Sequence, residues 1–219
     1  MQRHFDEELQ QLKEKLLRMS SLVEEVIATS IKSLVDRDAG LAEKVIQSDN
    51  AIDMFEIEID DLSLRLLALY QPQAGDLRFI TSSMKINNDL ERIGDLAVNI
   101  AHRTLDLIKV PPFKSLKDIL QMATATQSML KDSLNAFVNN DSKLAENVCK
   151  RDDEVDTLNH QIFIKLLTDN PHESAEVERA IDLILVAKNL ERIADHSTNI
   201  AEDIIYMVEG KTIKHHLFE

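Results

Sequence analysis

The sequence predicts an all-α protein made of two tandem antiparallel three-helix bundles, with six helices in total. Glycine and proline, which end helices, occur only four times each in 219 residues, which is roughly a third of average usage. Apolar residues recur at the three- and four-residue spacing of amphipathic helices. The second half of the chain repeats the first, which indicates one three-helix unit used twice.

The first three predicted helices are delimited by turn and capping residues. Leucines and valines at helical spacing predict one long helix before the Asp-Ala-Gly segment at 38–40 and a second helix after it, with Leu69 facing the core. Gln-Pro-Gln-Ala-Gly at 71–75 predicts a turn because proline and glycine both end helices, and Asp76 is a suitable N-cap for the third helix. The predicted helices are 6–37, 41–70 and 76–109.

The last three predicted helices follow a stiff linker, Val-Pro-Pro at 110–112, where we place the boundary between domains 1–110 and 113–219. Asp-Asn-Pro-His at 169–172 predicts the last turn, and Gly210 is a suitable C-cap. The predicted helices are 116–140, 142–168 and 173–209. Three aromatic residues are predicted to lie in the core, namely Phe113, Phe137 and Phe163.

The internal repeat is clearest in the third and sixth helices. Leu-Glu-Arg-Ile-Gly-Asp at 90–95 recurs as Leu-Glu-Arg-Ile-Ala-Asp at 190–195, and eight of the twelve residues from position 90 onward are identical 100 positions later. Residues of the second helix recur in the fifth, 103 positions later. Because the repeated residues include acids on a polar helix face, where folding does not require them, the repeat indicates two copies of one binding site.

The charge and composition exclude several classes of function. The chain has 39 acidic and 25 basic residues, a formal net charge of −14, and an acidic surface repels phosphate backbones, so we expect no direct nucleic-acid binding. No apolar run reaches the roughly 18 residues of a bilayer-spanning helix, so we expect no membrane insertion. The N-terminus lacks the apolar segment of a signal peptide, and the single cysteine, Cys149, fits a reducing compartment. These features predict a cytoplasmic protein.

Acidic pairs spaced by four residues lie on the polar side of four predicted helices, where like charges repel by roughly 0.2–0.5 kcal/mol. The pairs are Asp49/Asp53, Glu91/Asp95, Asp152/Asp156 and Glu191/Asp195. In an antiparallel hairpin, residues equidistant from the turn lie side by side, and two cross-helix pairs of the first repeat are both equidistant from Pro72. The corresponding pairs of the second repeat share a midpoint at 173.5, next to the turn at 169–172.

Each hairpin is therefore predicted to bring four carboxylates to one level, which is costly unless cations lie between them. Oxygen ligands favour Mg, Ca, Mn or ferric iron, and zinc also accepts them. The alternative is a solvated charged face that Arg92 and Arg192 partly neutralise, but the matching spacing in both hairpins favours metal. With the asparagines of the same polar faces, the predicted ligands are Asp49, Asp53, Glu91, Asp95, Asp152, Asp156, Glu191, Asp195, Asn88, Asn99 and Asn199.

Other polar residues carry weaker signals. His102 lies on the acidic face of the third helix and is either a ligand or a solvated side chain, since its counterpart in the second repeat is a glutamate. Glu56 and Asp60 extend the acidic line in the first repeat only, so we interpret them as surface. Cys149 is predicted to be a small core residue, and His196 a packing or interface residue.

These motifs resemble those of the PhoU family over essentially the whole chain. The resemblance is carried by Gln-Pro-Gln-Ala-Gly-Asp-Leu-Arg at 71–78, by Asp-Leu-Glu-Arg-Ile-Gly-Asp at 89–95 and by Asn-Leu-Glu-Arg-Ile-Ala-Asp-His at 189–196, with Asn-Ile-Ala after the last two. It implies two three-helix bundles whose acid-x-x-x-Asp motifs hold iron or zinc clusters, and those motifs correspond here to the four acidic pairs above.

The resemblance also implies a regulatory role. Such proteins restrain high-affinity phosphate uptake and phosphate-starvation signalling, and they are thought to bridge the ATPase subunit of the phosphate ABC transporter and a membrane-bound sensor histidine kinase, often as homodimers. Lys188 stands where the first repeat has Asn88, so the two clusters are expected to differ in ligands, occupancy or metal.

Two rival interpretations remain open at this point. A carboxylate-bridged dimetal enzyme or metal store on a helical bundle uses Glu-x-x-His pairs that face the bundle interior, but the sequence contains no such pair and the acids are predicted to face outward. We therefore expect a protein that is not an enzyme. The other rival is a purely structural helical protein with solvated charges. The sequence identifies neither the metal nor the face that binds partners, nor whether phosphate itself binds.

Overall fold

The computed structural model describes residues 2–112, 116–168 and 174–213, and these residues form seven α-helices and no strand. The helices are α1 (Gln2–Asp36), α2 (Ala39–Tyr70), α3 (Ala74–Leu107), α4 (Lys117–Asn139), α5 (Ser142–Cys149), α6 (Asp152–Thr168) and α7 (Ser174–Glu209). The all-α prediction and the repeated three-helix plan are confirmed. The predicted turn at 169–172, the start of the second domain at 113 and Phe113 lie outside the described residues.

The helix boundaries differ from the predicted ones, and three of the differences affect the description of the fold. The fifth predicted helix is divided into α5 and α6 by a turn at Lys150 and Arg151, where the Arg151 side chain donates a hydrogen bond to Asp132 of α4 at 2.9 Å. The first helix begins at Gln2, four residues early. The third begins at Ala74, so Asp76 lies in its first turn and is not the N-cap.

Equivalent aspartates begin one helix in each of the two repeats. Asp38 Oδ1 accepts a hydrogen bond from the backbone N of Leu41 at 3.1 Å, and Asp141 Oδ1 accepts one from Leu144 at 3.0 Å. Such N-caps satisfy a backbone donor that has no partner within the helix. Gly210 ends α7 with φ +71°, as predicted.

Each bundle buries one apolar face of its helices in a continuous core. Phe137 is buried as predicted and stacks on Phe79 of the first repeat, with ring centroids 6.0 Å apart. Two core predictions are wrong. Leu69 is 66% exposed because the last turn of α2 packs through Tyr70. Phe163 is 42% exposed because its neighbours Ile162 and Leu166 occupy the core-facing positions of α6.

The two bundles meet where α3 packs antiparallel against α7. Ion pairs cross this contact near both ends: Lys85 Nζ lies 3.1 Å from Asp203 Oδ1, and Arg103 Nη1 lies 3.2 Å from Asp182 Oδ1. Asp182 and Asp203 are both buried, which the sequence analysis did not predict. No helix in the described ranges is both long and apolar enough to cross a bilayer.

Candidate functional site

The first acidic cluster lies in the groove between α2 and α3. Asp49 and Asp53 occupy successive turns of α2, and Glu91 and Asp95 occupy successive turns of α3. The pKa of Asp49 is raised above its usual value, first by burial and then by the negative charges of Asp53 and Asp95, while His102 lowers it. Carboxylates of both helices therefore act on one another, which agrees with the predicted alignment of the hairpin.

Glu91 is largely enclosed, with 16% of its side chain exposed. Its pKa is raised by burial and then by Asp95, lowered by Arg92, and raised further by Glu56 and Asp53. The prediction that this acid faces solvent is wrong, because α2 packs against α3 and covers it. The Glu191 side chain in the second repeat is equally enclosed, at 14%.

Arg92 forms ion pairs with two acids of the first cluster, as expected if the cluster is a solvated charged face. Its Nε lies 3.4 Å from Glu91 Oε2, and its Nη1 lies 3.2 Å from Asp95 Oδ2. The Arg92 side chain is more than half exposed, so solvent screens these pairs and each contributes about 0–1 kcal/mol. One arginine therefore neutralises part of the cluster but does not balance four carboxylates.

The second acidic cluster lies between α6 and α7. Burial is the largest cause that raises the pKa values of Asp152, Asp156 and Asp195, the last to about 6. The charge of Glu191 raises all three pKa values further, and Asp152 and Asp156 both raise that of Asp195. The four carboxylates of the second repeat are thus coupled across the helix pair.

Two side chains distinguish the second cluster from the first. Lys188 Nζ lies 2.6 Å from Oε1 and 2.5 Å from Oε2 of Glu191, so the ammonium group contacts both carboxylate oxygens. Thr198 Oγ1 donates a hydrogen bond to Asp152 Oδ1 at 3.1 Å. Thr198 is not among the predicted site residues, although the change from Val98 to a hydroxyl side chain within a repeated segment was a usable signal.

The remaining predicted ligands lie around the clusters. Asn88 and Asn99 are exposed on α3, and Asn199 is half-buried on α7. His102 is exposed and near enough to Asp49 to lower its pKa. Their role as ligands stays a prediction.

Asp60 is not a simple surface residue. The buried Asn87 of α3 donates its Nδ2 to the Glu56 backbone O at 3.0 Å and to Asp60 Oδ1 at 3.1 Å. This bridge ties α2 to α3 beside the first cluster. The interpretation as surface is therefore wrong for Asp60, whose carboxylate bonds to the buried Asn87, whereas Glu56 contributes only its backbone oxygen to this bridge.

Cys149 is half-buried and packs against the core, close to its predicted position. Burial raises the pKa of its thiol to about 12, and the charge of Glu202 adds to the effect. The thiol is therefore protonated at neutral pH and lacks the thiolate that metal binding or nucleophilic chemistry needs.

Several features of the clusters bear on metal binding. In both repeats the equivalent buried oxygen lies next to a basic side chain, with Glu91 Oε2 3.4 Å from Arg92 Nε and Glu191 Oε2 2.5 Å from Lys188 Nζ. A buried carboxylate oxygen favours a cation beside it, and in this structure a protein side chain supplies that cation. In the described ranges, however, no three Asp, Glu, His or Cys side chains stand in an arrangement that could hold a metal ion. The donor chemistry suits a hard cation, and the side chains must turn toward it to coordinate.

The acid-x-x-x-Asp segments fall inside two matches to one family model. The PhoU domain matches residues 16–104 and 119–204, so it covers each repeat in turn. The chain belongs to the PhoU family.

Full-length relatives and solved structures agree with this family. The chain is 42% identical over 208 residues to the phosphate-specific transport system accessory protein PhoU homolog of Aquifex aeolicus, covering 95% of this chain and 94% of the relative. It is 40% identical to the homolog of Clostridium acetobutylicum, covering 95% and 96%. The crystal structure of PhoU from Pseudomonas aeruginosa matches with a TM-score of 0.90 and 36% identity, over 94% of this chain and all of that one.

Proposed function

We propose that this protein is a regulatory accessory component of a phosphate transport system, which restrains phosphate uptake and phosphate-starvation signalling in the cytoplasm. The observation that carries the proposal is the likeness, over 95% of the chain, to relatives named as accessory proteins of phosphate-specific transport. The proposed role needs no catalytic chemistry, and regulation would act through contacts with other proteins.

The proposal includes metal binding by the two acidic clusters. Carboxylates from facing helices that act on one another in each repeat support it. Iron or zinc is the metal we propose, with Mg, Mn or Ca as the other hard cations that such oxygens accept. A bound cation reverses the local potential, so a groove that repels anions becomes one that accepts anionic oxygens.

The proposed partners are the ATPase subunit of a phosphate ABC transporter and a sensor histidine kinase, with the protein acting as a homodimeric adaptor between them. The net charge of −14 suits basic surfaces on such partners. No nucleic acid and no inserted membrane segment takes part in this role.

Elemental analysis of the purified protein tests the metal clusters. Glu91→Ala with Asp95→Ala should remove the metal of the first cluster, and Glu191→Ala with Asp195→Ala that of the second. Asp61→Ala changes an exposed acid of α2 and should leave the metal content unchanged. If the wild-type protein and both double variants contain equal metal, the clusters are not metal sites.

A pull-down with the purified transporter ATPase tests the adaptor role separately. We expect the wild-type protein to retain the ATPase in the pull-down. In a strain that lacks this protein, we expect phosphate uptake to be derepressed. Unchanged uptake and no retention would contradict the accessory role. Substrate turnover or oxidase activity in the iron-loaded protein would instead favour the dimetal-enzyme alternative.

A further inference from the structure

The outer face of the α6–α7 hairpin is apolar. Six large hydrophobic side chains there are each 40–52% exposed. We call this surface the hairpin patch, and it consists of Phe163, Ile164, Leu167, Val177, Ile181 and Leu185.

The register of the two helices brings these residues to the same region. The charge of Glu191 raises the pKa of Asp156, and Thr198 bonds to Asp152. When this antiparallel alignment is continued toward the turn of the hairpin, Phe163 lies level with residues 180–187 of α7. That segment includes the exposed Ile181 and Leu185. The apolar residues therefore form one patch that continues along the groove from the second acidic cluster.

The hairpin patch is separate from the apolar face that α6 packs into the core. Ile162 and Leu166 are buried on the inner face, while Phe163 and Leu167 are exposed on the outer one. A helix that is apolar on both faces is usually covered on both, and exposed apolar patches on soluble proteins mark interaction sites.

The rim of the patch is acidic. At one end the patch meets Asp156, Glu191 and Asp195 of the second acidic cluster, where burial and then the charges of Glu191, Asp152 and Asp156 raise the pKa of Asp195. Two lysines of the α6–α7 hairpin are already paired within the chain, Lys188 with Glu191 and Lys165 with Asp118 of α4. An occupant of the patch therefore meets a surplus of negative charge beside an apolar surface.

The first repeat exposes a different set of large apolar side chains, namely Met54, Ile57, Leu64, Leu69 and Leu77. At the positions equivalent to Phe163, Ile164, Ile181 and Leu185 it has polar residues, and only the equivalents of Leu167 and Val177 are leucines. The polar equivalents are Asp60, Asp61, Thr81 and Lys85. Since the two repeats share their fold, folding does not require this apolar face.

We propose that the hairpin patch of the metal-free protein docks a basic amphipathic α-helix of a partner protein, whose apolar side covers the patch and whose lysines or arginines take the place of a metal beside the second acidic cluster. In helix-in-groove recognition, the apolar face of an amphipathic helix packs against a hydrophobic groove. A second copy of the chain is a poorer occupant, because its own acidic rim would face Asp156 and Asp195. The proposal names the docking surface for the adaptor role, and so it rests on the proposed function.

A synthetic peptide of leucine and lysine, patterned as an amphipathic helix, tests the surface without any transporter component. We expect it to bind the full chain, stripped of metal with a chelator, at near-physiological salt, and a scrambled peptide of equal composition to bind at least roughly tenfold more weakly. Phe163→Ser with Ile181→Ser should weaken binding of the patterned peptide by roughly tenfold or more. Because both residues are exposed, circular dichroism should show unchanged helix content.

Met54→Ser with Leu64→Ser is the matched control, since it removes two exposed apolar residues from α2 of the first repeat. This variant should bind the patterned peptide as the wild type does. Equal binding of the scrambled peptide, equal loss in both double variants, or no loss in either would overturn the proposal. A wild-type dimer that only the patch variant dissociates would identify a second copy as the occupant. If the peptide results hold while the ATPase pull-down fails, the surface stands and the adaptor role falls.

Discussion

His196 of α7 contacts Asp89 of α3 across the boundary between the repeats, with Nδ1 and Oδ1 2.8 Å apart. Neither side chain has a like counterpart, since the first repeat has Leu96 and the second has Asn189 at those positions. The pair occurs once and joins the two bundles. It lies between the ion pairs at either end of the α3–α7 contact, and both side chains are largely buried, with 19% and 14% exposed.

Replacing His196 with leucine, the residue at the equivalent position of the first repeat, should destabilise the protein. The substitution leaves the Asp89 carboxylate enclosed and without this partner, and removing one member of a buried polar pair costs about 1–3 kcal/mol. The free energy of unfolding in urea at pH 7 measures the loss.

The control for this prediction is His160→Leu. His160 is exposed on α6, and surface substitutions usually change stability by less than about 0.5 kcal/mol. Equal stability of the His196→Leu variant and the wild type would mean that the pair does not hold the bundles together.

Gly94→Ala should also destabilise the protein, although alanine is the better helix former. A Cβ at Gly94 would lie 2.8 Å from Ile52 Cδ1 and 3.4 Å from its Cγ2, and Ile52 is buried. Overpacking of this kind costs about 1–3 kcal/mol, which exceeds the gain of about 1 kcal/mol in helix propensity. Thermal and urea unfolding check the direction.

The second repeat supplies the compensating change, because Ala194 and Val155 stand where the first has Gly94 and Ile52. Ile52→Val removes the clashing methyl group, so the double variant should be more stable than the sum of the single effects implies. We expect a coupling free energy of at least about 0.5 kcal/mol. Strict additivity would show that the close approach of these two residues does not limit the first repeat.

Asp195→Asn should stabilise the metal-free protein at neutral pH. The folded state raises the pKa of Asp195 to about 6, so it binds this proton more tightly than the unfolded state does. A raised carboxyl pKa reduces stability as pH rises through the interval from about 4 to 6, and the penalty is complete above it. Because Asp195 is exposed, we discount for screening and expect a gain of about 1 kcal/mol at pH 7.

The pH dependence is the decisive measurement for Asp195. The gain should shrink as pH falls below 6 and disappear near pH 4, where both states hold the proton. Asp95→Asn is the matched control, because it removes the ion pair with Arg92 and should not stabilise the protein. A gain of equal size at all pH values would contradict the electrostatic cause.

Lys188→Asn should strengthen cation binding at the second cluster, if the proposed metal role is correct. The ammonium group of Lys188 contacts both carboxylate oxygens of Glu191, so it competes with a metal for the same carboxylate. Substitution by asparagine restores the residue of the first repeat, and we expect roughly tenfold tighter zinc or manganese binding by equilibrium dialysis. Lys165→Asn, which removes a lysine paired with Asp118, should leave the affinity unchanged, and an unaltered affinity in Lys188→Asn would refute the competition.

The helices, their duplication and the alignment of the acidic pairs could all be predicted from the chain, because each depends on local periodicity. Asp38 and Asp141 act as N-caps through residues three positions away. The register of Asp49 and Asp53 against Glu91 and Asp95 follows from their distance to the turn at Pro72. Such relationships are set within one helix or one hairpin.

Burial and pairing between helices that are distant in sequence could not be predicted in this way. A helical wheel assigns a residue to a face, but it does not say which neighbour covers that face. Glu91 is enclosed and Phe163 exposed for this reason. The bond between Asp89 and His196 joins residues 107 positions apart, and it exists only because α3 packs against α7.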